Sequence, residues 1–195
     1  MVDIAPKLNN ISNMPTPGSG GFLNPDIVVE EFGIEESIRI ADFGSGSGYF
    51  TILAAKKVGD TGKVVAIDVL SDVLEHLKAK AEEKGLSNIE LVRANLEIPG
   101  SSGLEDNSQD MVLIVNVLFQ SSKKENIISE AKRILKPGGK LVFMDWEKGV
   151  NGFGPPDEER TSKEEMSKLI SGIGFEVERE INVGSFHYGF VFHKK

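Results

Sequence analysis

The sequence predicts an α/β protein with a doubly wound, mostly parallel sheet of seven strands, one of them antiparallel in a C-terminal hairpin. Strand-like and helix-like segments alternate along the chain, which is typical of parallel strands joined by helical crossovers. Residues 111–115 are continuously apolar, as expected of a strand covered on both faces. The last two strand-like segments, 175–181 and 186–192, are separated only by the turn-like residues 182–185, which predicts the hairpin.

The first half of the chain contains three expected helices and three expected strands. Residues 1–21 are rich in Asn, Pro, Ser and Gly, and we expect a flexible tail there and one folded domain over residues 22–195. Asn24 is a candidate N-cap, with Pro25 in the first turn, for a helix that runs to about Phe32. The expected strands are 38–43, 63–68 and 89–93, and the expected helices are 49–58 and 71–84.

The second half continues the alternation after the strand at 111–115. Ser122 and Glu125 predict a capping box for a helix whose core face carries Ile127, Ile128, Ala131, Ile134 and Leu135. We expect Pro137-Gly138-Gly139 to end that helix and residues 141–144 to form the fifth strand. A second capping box, Ser162 with Glu165, begins a helix to about Ser171. In the next strand, the alternation places Glu176, Glu178 and Glu180 on one face.

The composition disfavours several classes of protein, among them nucleic-acid-binding, membrane-spanning and disulfide-containing proteins. The net charge of −8 and the pI near 5.0 disfavour binding to nucleic acid, which needs clustered Lys and Arg. No apolar run approaches the length of a membrane span, and the N-terminal residues lack the pattern of a secretory signal. There is no cysteine, hence no disulfide or thiolate chemistry. We therefore expect a cytoplasmic protein without a membrane span, and the sequence leaves its oligomeric state open.

A glycine-rich turn is the most informative motif. An apolar strand ends in Asp42-Phe43, and the glycines Gly44, Gly46 and Gly48 then lead into an amphipathic helix. Glycine permits a sharp turn and a close approach of backbone to ligand. Dinucleotide sites use Gly-x-Gly-x-x-Gly to place a pyrophosphate on the helix N-terminus. Here the spacing is Gly-x-Gly-x-Gly, and the acidic Asp42 suits a ligand that carries an ammonium group.

Four further segments carry informative residues at or beside the expected strands. Asp68 ends the second strand, 20 residues after Gly48 (68 − 48), where a carboxylate can accept hydrogen bonds from ribose hydroxyls. Asn95-Leu96 follows the third strand, and residues 110–120 contain the fourth strand and its end. Residues 133–141 read Arg-Ile-Leu-Lys-Pro-Gly-Gly-Lys-Leu.

In this order, the motifs closely resemble those of class I S-adenosylmethionine-dependent methyltransferases, especially the ubiquinone/menaquinone-type, or type 11, domains. The resemblance covers about residues 22–193. It implies a Rossmann-like fold, S-adenosylmethionine as cofactor and a small or medium-sized acceptor. Asn95 would lie against the adenine amino group. The cofactor-binding residues that it implies are Asp42, Gly44, Ser45, Gly46, Gly48, Asp68, Val69, Asn95, Leu96 and Asn116.

Methyl transfer demands little from side chains, because close positioning of the reactants and exclusion of water supply most of the acceleration. A base is needed only if the nucleophile is protonated. Asp145 and His187 are our candidate catalytic residues, since both lie at the carboxyl edge of the predicted sheet. Asp145 and Asn116 are also the only candidates for metal ligands, so we predict no metal.

Several familiar sites are missing from the fourth-strand motif. Asn116-Val117-Leu118-Phe119 stands where DNA amino-methyltransferases have Asn-Pro-Pro-Tyr, and Phe119-Gln120 stands where related small-molecule enzymes carry a His pair. Two alternatives remain open: a nicotinamide-dependent oxidoreductase and a cofactor-binding subunit without catalysis. We also hypothesise that residues 1–24 and 147–161 are lids, with Phe22, Trp146 and Phe153 as apolar walls of the acceptor pocket.

Overall fold

The structure, a computed structural model, describes residues 24–150 and 152–195. The expected boundary between the tail 1–21 and the domain 22–195 lies outside these residues. The strands are β1 Arg39–Phe43, β2 Lys63–Asp68, β3 Ile89–Arg93, β4 Gln109–Val115, β5 Leu135–Trp146, β6 Phe175–Ile181 and β7 His187–Lys194. The helices are α1 Pro25–Glu31, α2 Tyr49–Val58, α3 Ser71–Glu83, α4 Lys124–Ile134 and α5 Lys163–Gly172.

One sheet contains all seven strands in the order β3-β2-β1-β4-β5-β7-β6. The pairs among β1, β2, β3, β4 and β5 are parallel, and β7 is antiparallel to both of its neighbours, β5 and β6. β7 is therefore the one antiparallel strand, and the predicted doubly wound fold is confirmed. Because the strand order reverses between β1 and β4, the carboxyl ends of these two parallel strands form the crevice where ligands bind in such sheets.

The two faces of the sheet carry separate cores. On one face, Ala41 and Phe43 of β1 pack with the apolar side of α4, which is the side predicted from its periodicity. On the other face, Ile40 packs with residues of α1 and α2 such as Val28 and Ala54. Successive residues of β1 thus point to opposite, buried faces, which explains why Ile40, Ala41 and Phe43 are all apolar. None of the helices in the described segments is long and apolar enough to cross a membrane.

Two of the three predicted helix caps are confirmed. Asn24 Oδ1 accepts a hydrogen bond from Asp26 N, and Ser162 and Glu165 form a complete capping box for α5. The capping box at Ser122 is wrong. α4 begins one residue later than that motif requires, with Lys123 as its N-cap residue and no capping side-chain bond there. Ser121 instead receives the N–H of Lys123, at 3.0 Å.

Two strands depart from the expected regular alternation. β5 begins at Leu135, directly after α4, because Leu135 already pairs with Gln109 while Lys140 pairs with Met111. The Pro137-Gly138-Gly139 segment is therefore a bulge within β5 rather than a turn before it. A second irregularity, between Val177 and Arg179, changes which face of the sheet the following residues of β6 point to. The prediction that all three of its glutamates share one face is wrong, since this shift reverses the alternation partway along the strand.

Candidate functional site

The glycine-rich turn joins β1 to α2, and its three glycines have positive φ angles of +72°, +49° and +78°. A Cβ at Gly44 would lie 2.5 Å from Val117 Cγ2, and one at Gly48 would lie 2.2 Å from Leu77 Cδ1. Around Gly46, the nearest atom to such a Cβ is 4.0 Å away. The outer two glycines are therefore needed for packing as well as for the backbone angle, whereas Gly46 leaves open space on the ligand side.

A cavity of about 500 Å³ opens beside this turn at the carboxyl ends of the central strands. Seven of the ten residues predicted to bind the cofactor line it: Gly44, Gly46, Asp68, Val69, Asn95, Leu96 and Asn116. Gln120 and Ser121 follow β4 and also line the cavity. The sequence considered Gln120 only as the replacement for a histidine and did not single out Ser121. Four sequence-distant segments thus meet around one space because parallel strands place their carboxyl ends at one edge.

Asp68 faces the cavity with a preset carboxylate. Its Oδ2 accepts a hydrogen bond from Gly46 N at 2.9 Å, and its Oδ1 accepts one from Leu70 N at 3.0 Å. A carboxylate has about four acceptor positions, so each oxygen keeps one for a further donor. This arrangement suits the pair of vicinal hydroxyls that a ribose presents.

Asn95 and Leu96 form the wall of the cavity after β3. Asn95 Oδ1 accepts the N–H of Glu97 at 3.0 Å, which holds the segment in a tight turn, and Leu96 is buried. Asn126 and Ser121 tie the same turn to the region of α4 through hydrogen bonds to Glu97. The turn therefore presents an apolar side chain beside an amide, a suitable surface for a flat heterocycle.

Asp42 lies beneath the glycine-rich turn, not on the surface of the cavity. It is 3% exposed, and its Oδ2 accepts a hydrogen bond from Thr51 Oγ1 at 2.5 Å. Burial raises the pKa of Asp42 to about 6, although the bond from Thr51 opposes this shift. Its predicted contact with an ammonium group therefore remains a prediction. The sequence analysis missed Thr51, whose signal is a polar residue on the buried side of α2.

Asn116 links the cavity to the end of β7. It has a φ of +54°, unusual for a residue other than glycine, and its Nδ2 lies 3.3 Å from His187 Nε2. Within the described residues, Asn116 Oδ1, His187 Nδ1 and Ser45 Oγ are buried without a hydrogen-bond partner. Strained backbone and unpaired buried polar atoms concentrate at binding sites, where a ligand completes them.

His187 is held in a neutral form. Its ring stacks against the indole of Trp146, with 4.1 Å between centroids and 35° between planes. Burial lowers the pKa of His187 to about 4, and the nearby charge of Arg160 lowers it further in the same direction. At neutral pH the imidazole is therefore uncharged, and one of its nitrogens can accept a hydrogen bond or a proton.

Asp145 is also at this edge, but both oxygens of its carboxylate already accept backbone hydrogen bonds. Oδ2 accepts the N–H of Phe119 at 3.0 Å and Oδ1 accepts the N–H of Trp146 at 2.9 Å. Burial raises the pKa of Asp145 to about 6 against the effect of these two bonds. The contacts fix the turn after β4 to the end of β5. Its predicted catalytic role remains a prediction.

In the loop that the lid hypothesis concerns, residues 147–161, Arg160 is buried and donates hydrogen bonds to backbone carbonyls. The lid itself remains a hypothesis. Phe22, the third wall residue of that hypothesis, lies outside the described residues.

In the part of the chain that the structure describes, no three His, Cys, Asp or Glu side chains come together to hold a metal. The absence of a metal remains a prediction.

The fold and the cavity define an α/β protein with a cavity at the topological switch point of its sheet. Residues 34–174 match the family described as "Methyltransferase domain". The match covers more than half of the chain, and the chain belongs to this family of methyltransferases, for which S-adenosylmethionine is the cofactor. Membership in this family replaces the nicotinamide oxidoreductase alternative.

Individual relatives agree with this assignment. The chain is 33% identical over 117 residues to the ubiquinone/menaquinone biosynthesis C-methyltransferase UbiE of Erwinia tasmaniensis, covering 60% of this chain and 45% of that protein. It is 34% identical over 114 residues to the arsenite methyltransferase of Aquipseudomonas alcaligenes, covering 56% of this chain and 33% of that protein. The chain therefore spans less than half the length of these two curated relatives.

A solved structure covers more of the fold. A SAM-dependent methyltransferase from Aquifex aeolicus superposes with a TM-score of 0.81 at 31% identity, covering 89% of this chain and 91% of that one. This likeness supports a Rossmann-like architecture and the same cofactor class.

Proposed function

We propose that this chain transfers the methyl group of S-adenosylmethionine to a small or medium-sized acceptor bound where β4, β5 and β7 meet. One observation carries the proposal: Asn116, which lines the cofactor cavity, is 3.3 Å from His187 on the neighbouring rim. A donor in the cavity and an acceptor on that rim would be adjacent. Ring stacking on Trp146 gives the rim an aromatic surface.

The cofactor residues have distinct proposed roles. Asp68 accepts hydrogen bonds from the ribose hydroxyls, and Asn95 with Leu96 holds the adenine. The glycine-rich turn with Ser45 and Asp42 holds the methionine portion. The unpaired Oγ of Ser45 and Oδ1 of Asn116 fit this group, because an ammonium or hydroxyl donor would satisfy them.

The sulfonium of the bound cofactor supplies an electrophilic methyl group. The chain's own contribution is to hold the acceptor in line and to exclude water. Neutral His187 is in the protonation state that accepts a hydrogen bond or a proton from an acceptor. Asp145 keeps the Phe119 turn against β5, which shapes the rim.

The two curated relatives suggest different acceptors, a quinone-type carbon for one and arsenite for the other. We favour an aromatic carbon or oxygen acceptor. Trivalent arsenic is a soft centre that binds thiolates, and this chain has no cysteine to hold it. The stacked Trp146 and His187 rings offer a surface for a flat ring instead.

Transfer of radiolabelled methyl from S-adenosylmethionine to quinone precursors, small phenols, amines, arsenite and protein extracts tests the proposal. We expect product with a ring-containing small molecule and none with the protein extracts. Binding of S-adenosylhomocysteine without transfer to any acceptor would favour the non-catalytic subunit instead. A cytoplasmic location belongs to the same proposal, and cell fractionation tests it.

A further inference from the structure

Arg160 is the centre of the loop that connects β5 to α5. Its side chain donates to four backbone carbonyls of that loop: Pro155 from Nε at 2.9 Å, Glu147 and Val150 from Nη1 at 2.9 and 2.6 Å, and Phe153 from Nη2 at 2.5 Å. The residue is only 6% exposed. One side chain thus binds carbonyls at four points of this segment, whose described residues contain only a short 3₁₀ turn, Asp157–Glu159.

Within the described residues, the positive charge of Arg160 is stabilised by backbone carbonyls and not by a carboxylate. In the segments that the structure describes, no ion pair includes it, and carbonyl dipoles surround the guanidinium instead. A buried cation without a carboxylate partner is costly unless its donors are all satisfied. A single-point cation such as lysine cannot reach four divergent carbonyls, whereas the planar fork of arginine can. The loop conformation therefore depends on this residue type.

Contacts lead from Arg160 to the cofactor cavity. The guanidinium lies 5.8 Å from the ring centre of Trp146, and a Cβ on Gly154 would be 2.4 Å from the same indole. The loop is therefore packed directly on Trp146. Trp146 stacks on His187, and His187 contacts Asn116 at the cavity.

We propose that Arg160 is a positioning residue that fixes the loop 147–160 against Trp146 and so preforms the acceptor side of the methyl-transfer site. The inference rests on the proposed function for the location of the acceptor. The cofactor side does not depend on Arg160, since Arg160 contacts neither the glycine-rich turn nor Asp68 in the described structure. A preformed wall reduces the ordering that acceptor binding would otherwise require.

Arg160→Lys and Arg160→Met test the proposal, with Arg179→Lys as the matched control. Arg179 also donates to a backbone carbonyl, that of Glu31, but lies away from the loop. Trp146 is the only tryptophan of the chain, so fluorescence excited where tyrosine does not absorb reports on the surroundings of this residue. Hydrogen exchange of peptides from 147–160 and calorimetric binding of S-adenosylhomocysteine complete the measurements.

In both Arg160 variants, we expect exchange in the loop to be about tenfold faster or more, and Trp146 emission to shift to the red with greater quenching by acrylamide. The affinity for S-adenosylhomocysteine should stay within about twofold of wild type. The control should change none of these. If the Arg160 variants fail to fold, Gly154→Ala serves instead, because its Cβ would displace the loop from the indole.

Unchanged exchange and emission in folded Arg160→Lys would overturn the proposal, and so would an equal loss of S-adenosylhomocysteine affinity in both Arg160 variants. None of these readouts requires turnover. Failure of wild-type protein to methylate any acceptor would therefore overturn the proposed function separately. With an acceptor in hand, the variants should raise its KM more than they lower kcat.

Discussion

The carboxylate of Asp68 accepts the backbone N–H of Gly46 at 2.9 Å, which joins the end of β2 to the middle of the glycine-rich turn. The two motifs were identified separately in the sequence, yet they form one unit in the fold. Asp68 therefore acts on the turn as well as on the expected ribose. A single substitution there should affect both functions of the site.

Replacing Asp68 with Ala should weaken binding of S-adenosylhomocysteine by roughly tenfold or more, because bonds to a charged acceptor are worth about 1.5–3 kcal/mol each. Asp68→Asn, which keeps one acceptor oxygen, should lose less. Asp72→Ala on the exposed start of α3 is the control, and calorimetry is the measurement. An unchanged dissociation constant in folded Asp68→Ala would place the ribose elsewhere.

Replacing Gly48 with Ala should lower the free energy of unfolding by about 2–4 kcal/mol, since it adds a left-handed backbone penalty to a clash with Leu77. Gly85→Ala is a matched control, with a φ of +67° and no atom within 4 Å of the added Cβ. It should lose about 1–2 kcal/mol. Urea unfolding measures both. Equal losses would show that the packing of Gly48 against Leu77 contributes nothing.

The burial of Asp42 should make stability depend on pH. Its pKa is raised from 3.8 to about 6 in the folded protein, so the folded state holds the proton more tightly than the unfolded state. The stabilising contribution is therefore complete below about pH 4 and is lost as pH rises through 6. Relative to Asp42→Asn, wild type should lose up to about 3 kcal/mol over this interval. Parallel unfolding curves at every pH would contradict the assignment.

Glu130 stabilises the segment that leads away from Asn95 and Leu96. Its buried carboxylate accepts hydrogen bonds from Gly100 N, Ser102 Oγ and Arg133. Burial alone would raise its pKa, but the bonds from Arg133 and Ser102 lower the pKa to about 2. The stabilisation is thus present above pH 4.5 and is lost as pH falls toward 2.

At pH 7, Glu130→Gln should lower the free energy of unfolding by about 2–4 kcal/mol, because it leaves Arg133 without its buried partner. Glu90→Gln, which breaks the half-exposed ion pair with Lys63, should lose less than about 1 kcal/mol. Denaturant unfolding compares the two. A Glu130 variant as stable as the Glu90 control would mean that the cluster is solvated rather than structural.

The fold could be predicted because its signals are local. Apolar runs, glycines after helices and the turn before β7 each mark an element by its own residues. The two errors in the strands arose where pairing with another strand decided the outcome. β5 begins early because Leu135 pairs with Gln109, and β6 changes facing because of its irregular pairing with β7.

The site divides in the same way. Residues at strand ends, such as Asp68 and Asn116, could be predicted because motif order fixes where each strand stops. The segment from Gly154 to Arg160 was noted only as a resemblance to the family. The structural role of Arg160 could not be predicted, because its partners are backbone carbonyls, which carry no sequence signal. Glu130 was missed because Gly100 and Ser102 are distant along the chain, although its spacing from Arg133 suits a helical ion pair.

A crystal structure of the chain with S-adenosylhomocysteine is the most direct test of the account. We expect the ribose hydroxyls on Asp68, the adenine against Leu96 and Asn95, and the sulfur near Asn116 on the side that faces His187. A ligand seated instead in the separate depression lined by Tyr49, Lys80 and Lys84 would contradict the central claim that the cavity at the strand ends is the cofactor site.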